Sequence, residues 1–406
     1  MPLPQHNMPK SAQGSSLRHL PFLTVLAEGK DQDTPLWRDA AAGYLVLRFF
    51  DRWLEEGPAV MSSDSSLSVV RERIRVMADV EARAQEFLLA AVQAMVNATE
   101  PNAVLVSDPL LAYGKYLESG GQLVLASHVY QTLIAELDRI AREDPMPVAS
   151  ALLQYGYVSR LLGNFEVSIG AYQQAYRFAE RAGVPAVMFR TQIGQANTLR
   201  ARGNLGEAEA LLDRVATDAS AAGATEAELC ALHSRGDIRV FRGQYMEALT
   251  DFLSAYELVS THELMSDALS RERILGDIAA CAAESGYRKT ARDIIQHMLA
   301  SATSPQIRLI ALGNLLKLSI LEGNVEEFEQ LQEYIRAHAE RYPIQAEHAM
   351  RIALSTASGV ARFQTPEAGI AAYRSVIVEA KRVGMHHIAS KAEAILLQFR
   401  ESLAAL

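Results

Sequence analysis

The chain has 406 residues, a net charge of -9 and 49% hydrophobic side chains, with a mean hydropathy of +0.01. That composition is too apolar for disorder, and its acidity argues against general nucleic-acid affinity, which needs a basic face for phosphates. Two cysteines, Cys230 and Cys281, are too few for a disulfide framework or a four-ligand zinc site.

Residues 1–33 carry Pro, Gln, Ser and Gly with little periodicity and read as a flexible N-terminal tail, with Leu17 to Leu26 able to dock. No apolar stretch precedes a small-residue cleavage site within Met1 to Gly14. The longest apolar runs, Ala40 to Val46 and Phe87 to Val92, fall short of the ~20 residues that span a bilayer. A cytoplasmic location and no membrane partner are expected. The scarcity of Lys against Arg, with abundant Ala, suggests a GC-rich bacterial genome.

An N-terminal helical segment is expected over 34–107. Thr34-Pro35 offers an N-cap followed by Pro at the first helical position. The helix then carries Trp37, Tyr44, Phe49 and Trp53 and stops near Gly57-Pro58. That aromatic stripe reads as core against the next helix rather than as a partner surface. A second, long helix is expected from about Leu67 to Val96, with Val70, Ile74, Met77, Val80, Ala84, Phe87 and Leu88 on one stripe. Residues 97–108 read as a linker.

A repeat begins near residue 108. Gly121, Gly163, Gly203, Gly243, Gly286 and Gly323 follow one another at intervals of 37 to 43 residues. Each can take the left-handed position after a first helix, where a Cβ would clash. Five residues later stand Ala126, Ser168, Ala208, Ala248, Ala291 and Phe328; four further on, Tyr130, Tyr172, Leu212, Phe252, Ile295 and Gln332. Seven before each glycine stand Gly114, Gly156, Ala196, Gly236, Ala279 and Leu316. Two antiparallel helices approach closely only where side chains are small. The aromatic or aliphatic residue then fills the space against the next pair. No unit buries its face alone, so the units must stack.

This small-x6-Gly-x4-Ala-x3-aromatic spacing resembles the tetratricopeptide repeat, as in Gly156…Gly163-Asn-Phe165…Ser168…Tyr172…Ala175. The units run to about 40 residues, longer than the ~34 of that family. The resemblance implies an all-α fold: an α-solenoid, or right-handed superhelix, of helix pairs over 108–385 behind the N-terminal segment. A degenerate seventh unit and a capping helix over 386–406 close the stack. Thr225, Asn204, Asn324, Ser304 and Thr365 supply expected caps, and Gly183, Gly223 and Gly384 expected stops.

No phosphate loop or nucleophile elbow is present, so no catalytic residue, cofactor or metal site is expected. His262-Glu263 lacks a second His on the same face, and His386-His387 point to different sides of a helix. Cys230 and Cys281 read as structural thiols. In the resembled family, the residue after each small position and the one three further look into a concave groove. Those positions carry Lys115, Tyr157, Asn197, Asp237, Ala280 and Lys317, then Glu118, Arg160, Arg200, Val240, Ala283 and Ile320. The candidate binding residues are Lys115, Tyr157, Arg160, Asn197, Arg200 and Asp237 from these positions, with Arg190 from earlier in the third unit. Their Arg and Asn donors suit main-chain carbonyls and carboxylates. The expected function is a non-enzymatic scaffold that holds a peptide or protein, acidic by preference. Homo-oligomerisation is left open. The layout is also similar to Rap-type bacterial regulators, which implies a second reading: a peptide-responsive regulator whose groove acts on the N-terminal helical segment.

Overall fold

A computed structural model describes residues 18–29, 34–57, 64–76, 82–137, 144–262, 271–302, 304–342, 346–382 and 385–404. Among them every regular element is an α-helix. The chain divides into two compact units, 1–158 and 159–406.

In the first unit, the helices are α1 (Leu20–Glu28), α2 (Pro35–Glu56), α3 (Asp64–Val76), α4 (Ala82–Asn97), α5 (Val104–Ser119) and α6 (Leu123–Leu137). A seventh helix, α7 (Pro145–Leu161), runs through the unit boundary. The Thr34 hydroxyl caps α2 by accepting from Trp37 N–H at 3.2 Å. Phe49, Phe50 and Trp53 are buried, as are Ile74 on α3 and Leu88, Val92 and Met95 on α4. The aromatic stripe of α2 therefore serves mainly as core. Trp37 is half-buried, with its indole N–H donating to Leu26 O at 3.1 Å and Arg73 over its ring.

Two expectations need correction here. The expected tail contains α1, which packs on α2 and α6. Nine residues are too few to show a helical stripe, but Phe22 is fully buried, and His19 at its start joins Asp51 and His128. The single long helix expected from Leu67 is described as two, α3 and α4; residues 77–81 between them lie outside the described residues.

The second unit carries α8 (Phe165–Ala182), α9 (Pro185–Arg202), α10 (Leu205–Ala221), α11 (Thr225–Phe241), α12 (Tyr245–Thr261), α13 (Arg271–Glu284), α14 (Arg288–Ser301), α15 (Pro305–Glu322), α16 (Val325–Arg341), α17 (Ala346–Phe363), α18 (Pro366–Arg382) and α19 (His386–Ala404). The six turn glycines all have φ between 75° and 98°. At Gly203 the backbone makes the paired bonds of a Schellman turn, with Asn204 N–H on Leu199 O and Gly203 N–H on Arg200 O, both 2.9 Å. The same pair recurs at Gly243, to Arg239 and Val240. Each helix thus ends at a fixed place, and its partner returns antiparallel.

Ala208, Ala248 and Ala291 are fully buried at the expected crossings. Ser168 takes the same place in its unit, and its hydroxyl is satisfied by Thr198 at 2.9 Å. The aromatic residue four further on does not always reach the next pair. Phe252 lies on Gly236 of its own pair, as Tyr130 lies on Gly114, whereas Tyr172 lies on Gly194 of the following helix; Phe328, at the small position of its unit, likewise lies on Gly359 of the following helix. A ring goes wherever a glycine leaves room, and the unit spacing does not say on which side that is. Gly359 also explains how Phe328 is accommodated where a small residue was expected.

Caps form at Ser304, Asn324 and Thr365 through their side-chain oxygens. Thr225 is inside α11 rather than its cap, which is Ala224, and Asn204 makes no cap bond to the backbone. Gly183 and Gly223 have positive φ at the ends of α8 and α10, while Gly384 lies outside the described residues. No helix among the described residues is long and apolar enough to cross a membrane.

Candidate functional site

The first helices of the second unit's pairs, α9, α11, α13, α15 and α17, contribute a common wall to one cavity, to which α19 also contributes. Its volume is about 340 Å³. The helix α19 packs against α9 as well as α17 and α18, so the last helix of the unit meets one of its first. Each pair presents its first helix inwards because its second helix buries its own stripe between neighbours. The clusters around Leu212 and Phe252, Ile295 and Met298, Phe328 and Leu331, then Tyr373 and Val376 mark that succession.

Six positions named by the groove rule line this cavity: Arg200, Asp237, Val240, Ala280, Lys317 and Ile320. Of the seven candidate residues, only Arg200 and Asp237 do so. Asn197 is half-buried and donates to Ser234 Oγ at 3.4 Å. Arg190 is exposed and paired with Glu226 at 2.8 Å. Arg160 is half-buried on α7, outside the cavity lining. Lys115 and Tyr157 are exposed residues of the first unit. The three arginines do not form one basic strip, because Arg190 and Arg200 each meet a carboxylate of the next first helix.

A charge network runs among the lining residues. Arg200 Nη1 donates to Asp237 Oδ2 at 3.4 Å, and Arg351 Nη2 donates to Asp237 Oδ1 at the same distance. Arg351 also lies 3.9 Å from Asp277, which His233 Nε2 meets at 2.9 Å. Burial pushes the Asp237 carboxyl up, but Arg351, Arg200, His233 and Arg273 outweigh it and hold it well below the usual carboxylate range. Lys317 pairs with Glu284 at 2.8 Å. The ammonium of Lys391 sits 5.7 Å from the centroid of the Phe241 ring. Among the described residues it has no carboxylate within ion-pair distance.

Sequence reasoning missed Arg273, Asp277, Arg351 and Lys391. Asp277 stands one turn before Ala280 on α13, so extending the groove rule backwards by three residues would have found it. Arg351 and Lys391 sit on α17 and α19, where the repeat signature has decayed.

The thiols lie apart from any reactive arrangement. Cys230 is half-buried and Cys281 buried. Burial pushes them up to about 11 and about 12, respectively. Among the described residues, no group of three or more His, Cys, Asp or Glu side chains could hold a metal ion. The side chains of His386 and His387, and all of Glu263, lie outside the described residues.

No protein-family model matches the chain, and no curated protein matches it in sequence. Solved structures do match in fold. The Rap conjugation gene regulator of the plasmid pLS20, solved in complex with a Phr peptide, aligns with a TM-score of 0.55 at 13% identity, over 84% of this chain and 96% of that one. A Rap protein complexed with competence and sporulation factor gives 0.49 at 12% identity, over 89% of this chain and 98% of that one. The apo quorum sensor NprR from B. thuringiensis gives 0.47 at 11%, over 80% and 99%. At these identities the likeness is one of fold, and the first of the three carries it: the chain has the all-α, tetratricopeptide-like helical-repeat fold of that regulator.

Proposed function

We propose that this chain is a non-enzymatic protein that binds a peptide in the cavity of its second unit. The observation that carries this reading is the cavity: about 340 Å³, with apolar walls and converging charged groups supplied by successive first helices. That size suits a short extended segment rather than a folded domain. The long donors around it can hold a main chain without demanding one sequence.

Between a passive scaffold and a peptide-responsive regulator, the fold of the pLS20 regulator, solved with a peptide bound, favours the second. The charge network fits a switch, since Arg351 crosses 114 residues of sequence to reach Asp237. A ligand that competes for either group alters a contact between α11 and α17. The test is native purification followed by mass spectrometry of what elutes on denaturation. A retained peptide of a few residues is expected. A large folded partner, with no small peptide retained, overturns the reading.

A further inference from the structure

The cavity lining is not neutral. Five described residues are basic: Arg200, Arg273, Lys317, Arg351 and Lys391. Three carry negative charge: Asp237, Asp277 and Glu284. The whole chain is acidic at -9, so an excess of cations inside its cavity runs against the composition.

The excess is local. Asp237 and Asp277 are engaged on the α11 and α13 side by Arg200, His233 and Arg351. Glu284 is engaged by Lys317. Lys391, on α19, lines the same cavity against the ring of Phe241. Holding an ammonium in a partly desolvated place without a carboxylate is costly, and an anion delivered from outside relieves that cost. Tyr245 and Phe241 in the same lining give apolar contact next to it.

We propose that Lys391, with Lys317 and Arg351 beside it, forms a carboxylate-binding corner, and that the ligand of this cavity is a short peptide presenting its free C-terminal carboxylate or an acidic side chain there. This rests on the peptide-binding reading above and adds the chemistry of the ligand to it. Arg351 links the corner to the rest of the site. A carboxylate that attracts its guanidinium competes with Asp237 and Asp277 for the contact that joins α17 to α11 and α13.

Protonation gives an independent readout. Burial, with Lys317 and Arg351 adding repulsion and Glu284 and Asp237 opposing, holds the Lys391 ammonium down to about 8. The other titratable or charged groups lining the cavity are Arg200 on α9, Arg273, Asp277 and Cys281 on α13, Tyr245 on α12 and His348 on α17. Among these, burial pushes Cys281 and Tyr245 up to about 12. A bound carboxylate favours the charged ammonium, so binding near pH 8 takes up protons.

The experiment uses the full chain and two pools of random pentapeptides, one with free C-terminal carboxylates and one amidated and free of Asp and Glu. Retained peptides are read by mass spectrometry. Selected ones are titrated calorimetrically at pH 8 in buffers of different ionisation heat. Retention of the free-acid pool, proton uptake on binding and a ten-fold or greater loss of affinity in Lys391→Gln, restored largely by Lys391→Arg, support the proposal. Circular dichroism of Lys391→Gln confirms its fold. Should that variant fail to fold, the proton uptake and the pool preference of the parent protein decide alone. Equal retention of the amidated pool overturns the carboxylate corner while leaving peptide binding in place. Retention of neither pool overturns both.

Discussion

His19 Nδ1 lies 2.8 Å from His128 Nε2, and His19 Nε2 lies 3.1 Å from Asp51 Oδ2. One imidazole donates to the other while the chain of contacts ends on a carboxylate that Arg18 also meets at 3.3 Å. This pins the start of α1 to α2 and α6. His19 takes φ of 66°, the one non-glycine residue with positive φ among those described. Such a backbone costs of order 1–3 kcal/mol and persists only where its surroundings hold it.

The arrangement predicts acid sensitivity of the first unit. Burial, and then the neighbouring His19, hold His128 down to about 4, with Asp51 opposing. The unfolded value is about 6.5, so between pH 6.5 and 4 the unfolded chain binds more protons than the folded one. Stability is then full above pH 6.5, falls as the pH drops towards 4, and levels off below. Asp51 adds to the loss at lower pH: burial raises its carboxyl, but His19 and Arg18 more than offset that and leave it lowered. The His128 effect is worth about 2 kcal/mol after allowance for solvent screening. Trp37 and Trp53 are the two tryptophans of the chain, so tryptophan fluorescence reports this unit alone. Urea midpoints by fluorescence should fall from pH 7 to 4.5, and less steeply in His128→Gln. Equal slopes in the two proteins would mean that His128 does not titrate as described.

The repeat crossings predict overpacking. Ala208 and Ala248 are fully buried, so Leu at either should cost about 1–3 kcal/mol. Gly194 gives a sharper test. Ala there gains up to about 1 kcal/mol in helix propensity, but its Cβ would lie 2.4 Å from the Tyr172 ring. The clash should win, making Gly194→Ala destabilising, and combining it with Tyr172→Leu should cost less than the two alone in sum. Chemical denaturation followed by circular dichroism measures all five variants. Strict additivity would place the ring elsewhere.

These crossings were legible because their constraint is local. A glycine that must take φ near 75–98°, and a small residue at a fixed distance from it, leave marks in the sequence. The helix α1 showed only as a stretch, Leu17 to Leu26, able to dock, since nine residues make too little pattern. Its partner His128 lies 109 positions from His19. Arg351 and Asp237 were equally unreadable as a pair. Whether α17 and α19 return to α9 and α11 depends on the small rotation added by each pair, accumulated along the stack. No residue in any single unit encodes it. Arg200 shows the other limit: its groove position was readable, but its neutralisation by Asp237 depends on how the two first helices face each other across the stack.

The thiols should be slow. Burial raises both and leaves little thiolate at neutral pH. Ellman's reagent should modify native protein slowly and unfolded protein quickly, with Cys230, the half-buried one, first. Fast native reaction at Cys281, which lines the cavity, would contradict its burial and mark it as reachable by ligand.

The link between α11 and α17 makes the last prediction. Asp237 is 10% exposed, Arg200 12% and Arg351 42%. Removing the carboxylate leaves a largely buried guanidinium at Arg200, so Asp237→Ala should cost about 2–4 kcal/mol. Arg351 keeps access to solvent, and Asp237 keeps Arg200 when it is removed. Arg351→Gln should therefore cost only about 1 kcal/mol. Its effect should be local, because the contact joins the end of the unit to α11 rather than supporting a core. Hydrogen exchange in α17 and α19 should quicken several-fold in Arg351→Gln, while exchange in α10 and α12 stays at the parent rate. Salt should reduce the difference between parent and variant by screening the partly exposed pair. Acceleration spread evenly over the second unit would mean that Arg351 supports global stability, and unchanged exchange would mean that the ends of the unit are held by apolar packing alone.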